Sequence, residues 1–214
     1  LTNAGAVDTA WSLTEENLGE DLTGPPPQQL IYLSEDFEST FPPAGWTRVE
    51  NIGSCDWESS ATTGYANQTG GTGLFADANS DWCFDGMDAE LWTPAIDLST
   101  AAAPILRFQS DYRDLGDDGY VDVSTDGGTT WTNLLHYDGV DARGPRLVEL
   151  DLSAYAGQPS VIIRFHYVAP DWDWYWQVDD VLVGEPDIDQ VIWLAETPTS
   201  GVLVADTGEQ VVAV

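Results

Sequence analysis

Several segments of this chain alternate polar and apolar residues with a period of two, and helical periodicity is nearly absent. In YVDVS, Tyr120, Val121 and Val123 flank Asp122; in VIIRFHYV, Arg164 and His166 alternate with Ile163, Phe165 and Tyr167. Successive side chains of an extended strand point to opposite faces, so this pattern belongs to strands with one buried and one wet face, as in antiparallel sheets. Clusters of Gly, Asp, Asn and Pro interrupt it every 8–15 residues and read as turns. The predicted strands cover 29–37, 73–78, 89–98, 105–113, 119–126, 146–152, 160–169 and 176–184. Short strands at this spacing argue for an all-β fold, an antiparallel β-sandwich of the jelly-roll type.

The 214 residues suffice for one large β domain or one and a half small ones, and 43% apolar residues can fill a core. No apolar run approaches the roughly 18–20 residues of a membrane helix, so this fragment is expected to insert in no membrane. Six basic residues, all Arg, face 37 acidic ones, giving a net charge of −31. Such a surface repels phosphates and anionic lipids, which argues against nucleic acid as a partner, and it attracts cations. Most of these carboxylates read as a solvated acidic surface and a minority as metal ligands. Cys55 and Cys83 lie 28 positions apart without zinc-site spacing. In an extracellular protein they would form a disulfide, stabilising by roughly 3–4 kcal/mol in the chain-entropy model.

Gly24-Pro25-Pro26-Pro27 is a stiff linker, and a second hinge falls at 184–189. The domains are therefore expected at 1–23, 30–186 and 187–214, the outer two being strand-rich ends too short to fold alone.

The central segment carries a family resemblance. Asp36-Phe37-Glu38 closes the first strand, Pro43 to Trp46 reads PAGW, Leu91 to Ser99 reads LWTPAIDLS, and Trp176 to Val181 reads WQVDDV. In this order the motifs resemble the choice-of-anchor J and cleaved-adhesin domains, themselves similar to MAM domains. The resemblance spans roughly 30–186 and implies an extracellular jelly roll, often stabilised by calcium, carried on adhesins and secreted peptidases, with no catalytic machinery. The ends carry another: LTNAGAVDTAWSL and IWLAETPTSGVLVADTGEQVVAV resemble the two halves of a bacterial Ig-like repeat of the BACON type. The jelly roll is then inserted in one incomplete Ig-like sandwich, whose two ends should share a sheet. Open sheet edges there would allow self-association by β-strand exchange.

Asp36 and Glu38 leave the first strand on the face opposite Phe37, and Asp179 and Asp180 lie on the last strand, which a jelly roll commonly pairs with the first. Converging carboxylates with no cationic side chain nearby in sequence suit Ca²⁺, which takes six to eight oxygen ligands. Electrostatics and resemblance together give Asp36, Glu38, Asp77, Asn79, Asp179 and Asp180 as candidate calcium ligands. A second cluster, Asp111, Asp114, Asp117 and Asp118, lacks EF-hand spacing and reads as a solvated loop, with another calcium as the alternative. STDGGTTW (124–131) fits the Asp-box pattern: Asp126 accepts turn amides, Gly127 and Gly128 allow the turn, and Trp131 packs on return.

In the stretch APDWDWYWQVDDVLV (169–183), Trp176 and Val178 begin the last core strand. Asp171, Trp172, Asp173, Trp174 and Tyr175 precede it and read two ways: exposed aromatics beside carboxylates that stack on sugars, or a cap over the sandwich end. No enzyme is expected. Adjacent acids such as Asp171 and Asp173, or Asp179 and Asp180, give no reason for one raised pKa across a cleft. His136 and His166 lie on strands with no nucleophile motif. The sequence reads as a non-catalytic, calcium-stabilised adhesion or recognition module, extracellular or on the cell surface, with a glycan or protein ligand. The alternatives are a subunit of an extracellular fibre and an accessory domain of a secreted peptidase.

Overall fold

The alternation becomes burial in the computed structural model, which describes residues 9–12, 30–186 and 200–203. In β11 (Ile162–Ala169) every second residue is buried, with Ile163, Phe165, Tyr167 and Ala169 inward and Arg164, His166 and Val168 outward. The other strands of the central segment are β2 (Ile31–Glu35), β3 (Thr47–Ile52), β4 (Glu58–Ser59), β5 (Ala76–Asn79), β6 (Met87–Trp92), β7 (Ile105–Arg113), β8 (Asp118–Ser124), β9 (Thr132–Asp138), β10 (Ala142–Asp151) and β12 (Tyr175–Gly184). They form two antiparallel sheets, a six-stranded one ordered β10-β7-β12-β5-β4 with β2 also on β12, and a five-stranded one ordered β3-β6-β11-β8-β9. The predicted antiparallel β-sandwich is the fold.

Three strands escape sequence reading: β4 is only two residues long, and β3 and β9 bury little. β3 has no buried residue and β9 only Tyr137, so neither carries a two-residue rhythm of apolar positions. The strand expected over 89–98 stops at Trp92, before Pro94, which has no amide hydrogen for a ladder, and only an isolated bridge from Ile96 to Val161 continues it. Single helical turns α1 (Ser60–Thr63) and α2 (Ser80–Cys83) follow β4 and β5.

The core between the sheets is aromatic. Trp176 is fully buried, with ring centroids 5.6 Å from Trp57, 5.8 Å from Phe165 and 6.1 Å from Tyr112. Its indole NH donates to Ser110 Oγ at 3.0 Å, so burial leaves no polar atom of the ring unpaired. The expected disulfide joins Cys55 to Cys83 with Cα atoms 6.0 Å apart, tying the approach to β4 to the end of α2.

The chain divides into two compact units, 29–186 and the two sequence ends, 1–28 with 187–214. In the second unit β1 (Thr9–Ser12) pairs antiparallel with β13 (Ser200–Leu203), Thr9 opposite Leu203. The rest of both ends, including the Gly24–Pro27 linker and most of the Ig-like resemblance, lies outside the described residues.

Trp176→Ala would open a cavity among four aromatic rings and should destabilise the jelly roll by about 3–5 kcal/mol. Denaturant unfolding at fixed calcium checks this. A loss well under 1 kcal/mol would mean that Trp176 is not central to the core.

Candidate functional site

Strand β12 has β7 along one edge and two partners along the other: β5 against Tyr175–Val178, then β2 against Val181–Gly184. At the change of partner the ladder slips, and Asp180 takes a left-handed backbone, φ +48°. Phe37, just past β2, is also left-handed at φ +54°. These two kinks bring Asp179 and Asp180 beside Asp36 and Glu38, which act on them electrostatically.

A loop packs against three of these acids, Glu38, Asp179 and Asp180. Asn67 Nδ2 donates to Asp179 Oδ2 at 2.9 Å, and Leu74 N–H donates to Glu38 Oε1 at 2.6 Å. Gly71 and Gly73 lie so close to the acids that a Cβ would collide with Asp179 Oδ2 at Gly71 and with Glu38 Oε1 at Gly73. Side chains are excluded because carboxylates occupy the space. Burial, with Asp180 and Glu38 behind it, pushes the Asp179 carboxyl up to about 6. Desolvation, then Asp36 and Glu38, also raises Asp180. Desolvation of Asp179 and Asp180 beside the charges of Asp36 and Glu38 makes this corner attractive to a hard cation, but among the described residues no three of these carboxylates bring ligand atoms within 4.8 Å of one another.

The other two candidate ligands lie further along the outward face. Asp77 pairs in register with Gln177 and Asn79 with Tyr175. Asp77 Oδ2 accepts from Thr63 Oγ1 at 2.6 Å and Asn79 Nδ2 at 3.2 Å, while Asn79 Oδ1 caps α2 through Trp82 N–H at 2.8 Å. Asp77 Oδ1 is buried with no protein partner, and burial raises this carboxyl to about 6.

The second acidic cluster is not a solvated loop throughout. Asp111 is fully buried on β7, held by Arg143 Nε at 2.7 Å and Gly144 N–H at 2.6 Å. Asp117 is 1% exposed, and burial pushes it up to about 6. Asp118 meets His136 Nε2 at 2.7 Å.

The stretch 171–175 divides. Trp172 and Asp171 are exposed, but Asp173 is buried, its Oδ2 accepting from Asp171 N–H at 2.8 Å and its own N–H donating to Ser80 Oγ at 2.9 Å. Arg113 lies over the Trp174 ring at 3.4 Å, and Tyr175 is a buried residue of β12 rather than of the loop before it. Asp173, Trp174 and Tyr175 therefore cap the sandwich, and Asp171 and Trp172 are offered outward.

The outer face of the five-stranded sheet holds a site that sequence reading missed. Register aligns Trp92, Arg164, Asp122 and Asn133 in one cross-strand row and Glu90, His166, Tyr120 and His136 in the next. Arg164 bonds Glu90 and Asp122, both at 2.9 Å, and stacks on Trp131 at 4.4 Å. Asn133 Nδ2 donates to the other oxygen of Asp122 at 2.8 Å. The His136 ring stacks on Tyr120 with centroids 4.2 Å apart, and His166 Nε2 meets Asp88 at 2.7 Å. Between these walls runs a slot of about 550 Å³ lined by Tyr120, Asp122, Trp131, Asn133, His136, Arg164, His166 and Val168. Trp131 arrives there because the Asp-box turn forms: Asp126 accepts from Thr130 Oγ1 at 2.6 Å, Thr130 N–H at 2.9 Å and Thr129 N–H at 3.1 Å, bonds that help hold its carboxyl down at about 2. The available signal was the alternation itself, which put Arg164, His166, Tyr120 and Asp122 outward but not which strands are neighbours. Asp118, His136 and Asp138 beside the slot also bring ligand atoms within 4.8 Å of one another, across strands and so invisible to sequence spacing.

No protein-family model matches the chain, and no curated protein matches it. Solved structures do. The K3 cleaved adhesin domain of Lys-gingipain from Porphyromonas gingivalis W83 superposes with a TM-score of 0.55 at 21% identity, over 73% of this chain and 99% of that one. The K1 domain of the same protein gives 0.53 at 22%, over 71% and 96%. The fold is cleaved-adhesin-like. The K2 domain agrees, at 0.52 and 18% identity over 71% of this chain and 96% of that one.

Asp77, Asp117 and Asp179 all keep their protons more tightly folded than unfolded. Their contribution to stability is therefore complete below the unfolded value near 4 and is lost as pH rises through about 6. In EDTA, thermal melts should fall between about pH 5 and pH 7.5, and Asp179→Asn should remove about 1–2 kcal/mol of that fall. A melt that rises over this window would contradict the raised carboxyls.

Proposed function

We propose that this chain carries a non-catalytic recognition module of an extracellular or cell-surface protein, with calcium tying its first and last strands and a glycan as the ligand class. The observation that carries the reading is the slot on the five-stranded sheet. Its volume lies within the usual range for ligand sites, and its walls combine aromatic rings with hydrogen-bonding groups on rigid strands. Sugar rings are bound by such pairings of stacking faces with fixed donors and acceptors. Catalysis is disfavoured because both oxygens of the acid lining the slot, Asp122, are engaged by Asn133 and Arg164. A non-enzymatic role also suits the adhesin domains that share the fold.

For calcium, Asp36, Glu38, Asp179 and Asp180 would hold the ion, and the ion would supply charge compensation that no side chain provides. Asp77 and Asn79 would stay with the partners they already have. An oxidised Cys55–Cys83 pair supports the extracellular setting. Among the described residues no helix is long and apolar enough to cross a membrane.

The fibre reading is favoured by one observation. β1 and β13 pair antiparallel, so the two sequence ends meet in one sheet as the halves of a single Ig-like sandwich would, and the edge of such a sheet can accept a strand from another chain. Size exclusion at rising concentration would reveal the growing species of a strand-exchanged fibre.

Two measurements test the main reading. On a glycan array, Trp131→Ala should weaken binding at least tenfold with an unchanged melt, whereas Trp172→Ala should not; an array without hits sinks the glycan. For calcium, a site with a dissociation constant near 0.1 mM stabilises by roughly 1.4 kcal/mol at about 1 mM ion. That gain should exceed the gain from equal Mg²⁺ and vanish in Asp180→Ala. A melt indifferent to calcium would return the cradle to a plain acidic cluster.

A further inference from the structure

Three large aromatic side chains stand exposed together: Phe84 at 68%, Trp172 at 53% and Trp82 at 36%. They share one end of the sandwich. Asn79 at the end of β5 pairs with Tyr175 at the start of β12, and Met87 at the start of β6 pairs with Ala169 at the end of β11. The connections 80–86 and 170–174 therefore leave the sheets side by side, and Phe84 meets Trp172 edge to face at 5.5 Å.

Folding does not account for this arrangement. Phe84 ends α2 in the left-handed conformation, φ +59°, a helix-end position normally given to glycine because a Cβ crowds the backbone. Its ring recovers little by burial. A strained, exposed aromatic kept at a fixed place points to a function outside the fold. The support is rigid: Ser80 N–H donates to Trp174 O at 3.1 Å, Asp173 N–H donates to Ser80 Oγ at 2.9 Å, and the disulfide holds Cys83, the residue before Phe84.

The chemistry of the patch selects its partner. Each exposed aromatic has an aspartate beside it in sequence: Asp81 before Trp82, Asp85 after Phe84 and Asp171 before Trp172. Ring faces next to carboxylates attract alkylammonium and guanidinium groups. Behind the patch Trp174 already carries the Arg113 guanidinium, 3.4 Å from its ring centroid. The chain has no Lys, and five of its six Arg are engaged: Arg48, Arg107, Arg143 and Arg164 in ion pairs and Arg113 on Trp174. We propose that Phe84 and Trp172 form a docking site for an Arg or Lys side chain in a basic segment of a partner protein.

Calorimetry with a tetra-arginine peptide amide at about 150 mM salt tests this, the salt screening long-range attraction to the acidic surface. Saturable binding is expected, weakened at least tenfold by Trp172→Ala and by Phe84→Gly. Both substitutions leave the net charge at its native value, and Phe84→Gly suits the left-handed backbone, so its melt should not fall. Equal binding by the wild type and both variants would reveal diffuse attraction and overturn the proposal, as would no binding by the wild type. The site does not rest on the glycan reading. Trp131→Ala, on the sheet face, should leave peptide binding intact, and loss of glycan binding in that variant leaves this site standing.

Discussion

The structure depends on the hydrogen bonding of β12 along both edges. Inward, this strand gives Trp176 and Val178 to the aromatic core; outward, it gives Gln177 and Asp179 to a buried polar layer. One edge is paired with β7 and the other is shared by β5 and β2. Opposite the change from β5 to β2 the β7 register slips by one residue between Asp179 and Leu182, a β-bulge, and bulges redirect side chains. Here the redirected pair is Asp179 and Asp180, so the bulge at the change of partner also builds the acidic cradle.

The overall charge of −31 conceals a careful placement of the few cations. Arg143 is spent on fully buried Asp111, and Arg164 sits between Glu90 and Asp122 under Trp131. None reaches the cradle of Asp36, Glu38, Asp179 and Asp180 in an ion pair. Arginine thus stands where a fixed planar fork organises neighbours, and the cradle is left to a small hard ion.

How much was legible follows from how local each signal was. The jelly roll, the last core strand and the Asp-box turn rest on alternation and on turn residues close in sequence, and these could be read directly. Asp36 and Glu38 could be placed near Asp179 and Asp180 because first and last strands pair. Asp77 is different: its partner Thr63 comes from α1, a single turn with no sequence signature. The slot was hidden because His136, Tyr120 and His166 become neighbours only through the order β9-β8-β11, and β9 buries only Tyr137. Whether Trp174 and Tyr175 are exposed or cap the sandwich stayed open in the sequence because Arg113 and Arg143, which lie over their rings, come from other strands.

One contact of the cradle bears on where this protein can be made. Asn67-Gln68-Thr69 is an acceptor sequence for N-linked glycosylation. In the fold the Asn67 amide is committed to Asp179, and Thr69 Oγ1 donates back to Asn67 Oδ1 at 2.6 Å. A eukaryotic secretory host that modified this asparagine before folding would put an oligosaccharide where the loop must close over the acids. A reducing cytosol would instead leave Cys55 and Cys83 unjoined. The two constraints together favour a bacterial periplasm, oxidising yet lacking that modification, as the place to produce this chain intact.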